Sequence, residues 1–146
     1  MTILASTGLR IKMLDTGSVK TIFAAGFLKL YTGAAPASPD DAATGTLLST
    51  ISINAGGTGT NFDTAAVAGV LSKAPAEIWS GVNAATGTAA YYRHVAAGDT
   101  GASSITQARL QGSVGVLGAD LNLSSVSLVS AATLTVDYYS AAMPVS

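Results

Sequence analysis

Hydrophobic positions along this chain change their period once, near residue 26. Before that point Leu9, Met13 and Leu14 fall at helical spacing, with Ser6 or Thr7 placed to cap the N-terminus. Asp15-Thr16-Gly17 stops the helix. Ser18 then caps a second short helix that runs to Ala25 and ends on Gly26. Beyond it the period shortens to two. Residues 27–32 alternate as a strand does, and the Gly- and Pro-containing stretch 33–39 breaks the pattern. Ser38-Pro39-Asp40-Asp41 predicts one helical turn with proline at its first position. Further strands are predicted over 46–54, 62–65, 67–73, 77–82, 87–97, 105–116, 120–123, 126–129 and 133–139, with Met143-Pro144 closing the domain. On the strands that carry Tyr91-Tyr92 and Tyr138-Tyr139, alternation sends one tyrosine of each pair inward and its neighbour outward.

Many short strands between Gly-, Ser- and Thr-rich turns predict an all-β fold, a β-sandwich or jelly roll. At 146 residues, without a linker or a repeat, the chain reads as one domain. A helical N-terminal arm (residues 1–26) precedes the β-sandwich (residues 27–146).

Composition adds a constraint that the pattern does not. Only 10% of residues are charged, against about 25% in an ordinary soluble domain. Hydrophobic residues make up 49%, and mean hydropathy is +0.46. The longest strongly apolar run, residues 21–28, is well short of the ~20 residues a membrane helix needs. A surface of Ala, Thr, Ser and Gly loses little hydration when a neighbour docks, which points to a component of a larger assembly. Without cysteine there is no disulfide and no thiol chemistry. A net charge of −1 without a basic cluster argues against nucleic-acid partners, which need a concentrated positive surface. Four of the seven cations (Arg10, Lys12, Lys20 and Lys29) lie in the first thirty residues. The N-terminus has neither the basic start nor the apolar stretch of a signal peptide, so synthesis in a cytoplasm without processing is expected.

Candidate chemistry is sparse. Asp15-Thr16-Gly17 and Asp99-Thr100-Gly101 repeat the turn that aspartic proteases use twice to share one proton between two carboxylates. Asp15, however, ends a helix and Asp99 follows a loop, and Asp-Thr-Gly is ordinary turn chemistry. The loop 55–61 lacks the Gly-Lys-Ser/Thr ending of a phosphate loop and reads as a hairpin or surface loop. His94 is the only histidine, so neither a multi-histidine metal site nor a second imidazole is available; beside Arg93 it reads as a surface or packing residue. Asp40 and Asp41 suit a helix N-terminus. The tyrosine pairs, with Trp79, allow a sugar-stacking platform, which would make the chain a carbohydrate-binding module. Outward tyrosines are also common at protein interfaces. No catalytic, cofactor-binding or metal-ligating residue is assigned.

Several segments resemble small structural proteins of tailed bacteriophages and prophages. They include Ser6-Thr7-Gly8-Leu9-Arg10, Gly17-Ser18-Val19-Lys20, Leu30-Tyr31-Thr32-Gly33 and residues 41–48. The likeness continues at Asn61-Phe62, Trp79-Ser80-Gly81, residues 85–89, Tyr92-Arg93 and residues 118–123. The resemblance implies a non-enzymatic virion component. Its expected role is a capsid decoration (cement) protein that binds the major capsid protein and itself, as a trimer, on the capsid exterior. A tail or head-tail connector component is the competing position. Neither a membrane nor a nucleic acid is an expected partner. Arg10, Lys12, Lys20, Trp79, Tyr92 and Tyr139 are the expected interface residues, with the basic arm reaching onto an acidic neighbour.

Overall fold

The computed structural model describes residues 3–142; the predicted domain end at Met143-Pro144 lies outside them. The fold is all-β with two short N-terminal helices, as the period change predicts. The strands are β1 (Leu4–Ala5), β2 (Phe27–Tyr31), β3 (Leu47–Ile53), β4 (Val70–Ser72), β5 (Trp79–Val82) and β6 (Gly87–Thr88). They continue with β7 (Tyr91–Val95), β8 (Arg109–Gly115), β9 (Leu121–Asn122), β10 (Ser127–Leu128), β11 (Thr133–Val136) and β12 (Ser140–Ala142). An antiparallel sheet runs in the order β1-β8-β7-β2-β3-β5-β11, with β9 parallel to β8 along its outer edge. β4 pairs with β12 and β6 with β10 in two separate ribbons.

Helix α1 (Thr7–Asp15) starts on Ser6 and helix α2 (Val19–Ile22) on Ser18, which forms a capping box with Thr21. Ser6 does more than cap. Its fully buried hydroxyl accepts from the amides of Leu9 (3.1 Å) and Arg109 (2.9 Å) and donates to the Gln107 carbonyl (2.8 Å). It therefore ties the helix start to the beginning of β8. Ser6→Ala is expected to cost about 1–3 kcal/mol, because it removes a cap and leaves buried backbone groups unmet. Urea unfolding should show a lower midpoint at unchanged slope.

Asp40 reaches the same helix start from 33 residues away. Its carboxylate accepts from the Thr7 hydroxyl (2.6 Å) and amide (2.8 Å), and these bonds hold its pKa below the usual carboxylate range. Leu9 of α1 and Phe23 after α2 are buried in the same apolar cluster as the sheet residues. The N-terminal segment is thus built into the core and is not an arm free to extend.

Local differences from the predicted elements have local causes. The second helix ends at Ile22, three residues early: Ala25 takes a positive φ of 56°, and Gly26 pairs with Thr60. The glycine-rich loop folds back on that point, so closely that a Cβ on Gly59 would lie 2.0 Å from the Ala25 carbonyl oxygen. Residues 62–65 form no strand; Phe62 makes a single bridge to Lys73. Residues 38–41 form a hydrogen-bonded turn, in which the Asp41 amide donates to Ser38, and not a helix.

Candidate functional site

Register along the sheet separates two faces. Leu28 of β2, His94 of β7 and Leu110 of β8 stand opposite one another, as do Leu30, Tyr92 and Gly112. This face holds the apolar core, in which His94 sits among four aromatic rings. Their centroids lie 4.5 Å (Phe23), 5.2 Å (Tyr139), 5.3 Å (Phe62) and 6.0 Å (Trp79) from the imidazole. Nδ1 lies 3.2 Å from the Tyr139 hydroxyl and Nε2 has no partner. Burial drives the His94 pKa down to about 3, so the ring is neutral at physiological pH. The same burial pushes Tyr92 up to about 12. His94 is a packing residue here, sealed from solvent.

The other face is polar and equally buried. It aligns Val95 with Arg109, Arg93 with Lys29 and Gln111, and Tyr91 with Tyr31 and Ser113. The loop over 34–46 covers it, held by side chains of the sheet. Arg93 donates to the Asp41 carbonyl (2.8 Å) and to Gln111 (2.8 Å), and Gln111 donates to Pro36 (2.8 Å). The Tyr91 hydroxyl donates to the Thr44 carbonyl and accepts the Thr44 amide, while its ring stacks on Tyr31 at 5.0 Å. Arg109 donates to the carbonyls of Pro39 (3.0 Å) and Ala102 (2.6 Å) and forms a two-pronged ion pair with Asp99 (2.6 and 3.1 Å). Sequence periodicity missed this layer. Its signal was polar residues at alternate positions of strongly β segments, Tyr91 and Arg93 on one strand and Arg109 and Gln111 on the next.

These contacts decide the sequence-derived candidates. Asp99 directs its carboxylate to Arg109 and to the Gly101 amide (2.7 Å), which is the turn chemistry expected of Asp-Thr-Gly. Asp15 stands exposed at the end of α1. No hydrogen bond joins the two carboxylates among the described residues, and both Asp99 oxygens are engaged by Arg109. No group of three or more His, Cys, Asp or Glu is placed to hold a metal ion among the described residues, and no helix there is long and apolar enough to cross a membrane.

Half of the expected interface is corrected. Trp79 and Tyr92 are 0% exposed and Tyr139 5%, because all three line the aromatic core around His94. Tyr91 is buried as well, since the 34–46 loop covers the face that alternation left to solvent. In the second pair Tyr138 is the outward residue, at 87% exposure. A stacking platform built on Trp79 or Tyr92 therefore has no accessible ring.

Arg10, Lys12 and Lys20 remain at the surface, Arg10 exposed and the lysines half-buried. Two of them border a groove of about 780 Å³ between the helices and the β4–β12 ribbon. Its apolar lining comes from Ile3, Leu9, Met13, Val19, Leu71 and Leu110. Among the described residues Arg10 and Lys20 are its only ionisable lining residues. The Arg10 guanidinium donates to the Thr7 hydroxyl (3.0 Å) and the Lys20 amine to the Thr64 carbonyl (2.7 Å). This groove was not visible in the sequence, because its walls come from segments up to 139 positions apart (Ile3 and Ala142). No known protein family, characterised protein or solved structure matches this chain.

Proposed function

We propose that the chain is a non-enzymatic structural protein of a tailed-bacteriophage virion. The specific reading is a capsid decoration protein that assembles with itself and with the major capsid protein on the outside of the shell. One observation carries it: the surface is poorer in charge than the composition alone implies. Of the 15 charged residues Arg10, Asp15, Asp41 and Asp137 are exposed, eight more are half-buried, and Arg93, Arg109 and the Asp99 carboxylate are buried in the polar layer. A free soluble domain keeps itself dispersed with exposed charge, and this surface offers little. Large apolar side chains stand out in its place, Leu14, Leu117 and Tyr138 each at 87% or more. A lattice component is covered by its neighbours, so weak contacts repeated by symmetry hold it in place.

Purified protein, mixed with capsids of the encoding phage that lack it, should co-sediment at a fixed stoichiometry and raise the temperature of capsid disruption. Absence from capsids together with presence in purified tails assigns the chain to the tail or connector. Retention on host polysaccharide without capsid binding favours a carbohydrate-binding role.

A further inference from the structure

The apolar groove beneath Arg10 and Lys20 has walls of an unusual kind. β1 supplies Ala5, and β12 supplies Ala141 and Ala142. Among the described residues each of these strands is paired along one edge alone, β1 with β8 and β12 with β4. The groove is therefore bordered by two strands that each retain an unpaired backbone edge. An unpaired edge is a template for another strand, which it binds through main-chain hydrogen bonds. A helix offers no such bonds, because its own amides and carbonyls are already paired internally.

Charge narrows the partner. Both ionisable groups on the lining are cations, and the single salt bridge of the described residues, Arg109–Asp99, is elsewhere. Arg10 and Lys20 donate to neutral oxygens, and Arg10 also faces the Asp40 carboxylate across the Thr7 hydroxyl they share. An apolar floor, two strand edges unpaired among the described residues and two cations on the lining are complementary to one chemistry.

We propose that this groove binds an extended, mainly apolar segment of a neighbouring protein that carries aspartate or glutamate at its ends, added as a strand to β12. The proposal deepens the virion reading, in which that neighbour is a shell protein. Among the described residues the chain's own segments are a poorer match. Its eight acids are scattered, and those on the surface flank turns and strand ends.

Two capped peptides serve as probes, each with alternating valine and threonine, one with aspartate at both ends and the other with lysine. Calorimetric titration of the full chain should show saturable binding of the aspartate peptide, about tenfold tighter than the lysine peptide. Arg10→Glu/Lys20→Glu should reverse that preference in a protein that still unfolds in one cooperative transition, and bound peptide should slow amide exchange in residues 140–142. Failure of the aspartate peptide to saturate, equal binding of both peptides, or protection confined to other strands overturns the proposal. So does a dimer of the chain that the double variant dissociates, since the occupant is then a second copy. Capsid co-sedimentation separates the two claims. Undiminished capsid binding by the double variant removes the groove and leaves the decoration role. Charge-dependent peptide binding by a protein that ignores capsids does the opposite.

Discussion

Arg109→Ala is expected to destabilise the protein by about 3–5 kcal/mol, the usual cost of removing one partner of a buried ion pair. For a chain of this size that corresponds to a fall in melting temperature of roughly 10–20 °C. The side chain is 0% exposed, and its loss leaves the Asp99 carboxylate buried with no counter-charge. It also strips donors from the carbonyls of Pro39 and Ala102, which anchor two loops. Arg109→Lys should recover little, because an ammonium on a flexible stem does not reproduce the planar fork that meets Asp99 and both carbonyls. The informative control is Arg109→Met/Asp99→Leu. Buried ion pairs often yield to hydrophobic replacements without loss, but here the loop carbonyls remain unmet, so this double variant should also be destabilised. Wild-type stability in the double variant would show that the arginine neutralises Asp99 and does not clamp the loops. Limited proteolysis of Arg109→Ala should cut first within residues 33–46 and 99–107, the segments that the guanidinium ties down.

Acid should unfold the protein through its single histidine. His94 has a folded pKa of about 3 against 6.5 when exposed, so between those values the unfolded chain binds a proton that the folded chain refuses. Stability is then complete above pH 6.5 and falls as pH drops, by about 1.4 kcal/mol per unit and roughly 5 kcal/mol by pH 3. From pH 6.5 to about 5 most carboxylates stay ionised, so the slope in that window belongs to His94. Below it Asp40 adds to the loss, since its lowered pKa means stability that disappears on protonation. Urea midpoints measured at half-unit steps of pH should follow this slope in the wild type. His94→Phe/Tyr139→Phe, which keeps the ring packing and removes the 3.2 Å contact as a unit, should be flat from pH 6.5 to 5. A slope that survives in the double variant would place the titrating group elsewhere.

How much was legible in the chain can be traced through β7. Its existence followed from a period of two over strongly β-forming residues, whereas its pairing with β2 and β8 did not. Its burial did not, because alternation assumes that one face of a strand meets water. The 34–46 loop removes that water from Tyr91 and Arg93, so with Tyr92 and His94 already on the core face the whole strand is buried. Trp79 and Tyr139 were misplaced for a related reason. A tyrosine or tryptophan suits an interface and a core equally well, and only the surrounding rings decide between them. The cations fared better. Arg10, Lys12 and Lys20 stay near solvent because no loop folds over them, whereas Arg93 and Arg109 are enclosed by the carbonyls of the 34–46 loop and, for Arg109, by Asp99.

The all-β class, the capped N-terminal helices, most of the strand centres and the scarcity of charge were legible in the chain. Those properties are local or additive: hydrogen-bonding periods, cap chemistry and composition act over a few residues or none. Burial of the polar layer, the place of three expected contact residues in the core and the groove beneath two cations arose from tertiary packing alone. Each depends on segments remote in the chain meeting in space, and the free energy of burying a side chain is set by what covers it, which no local pattern records.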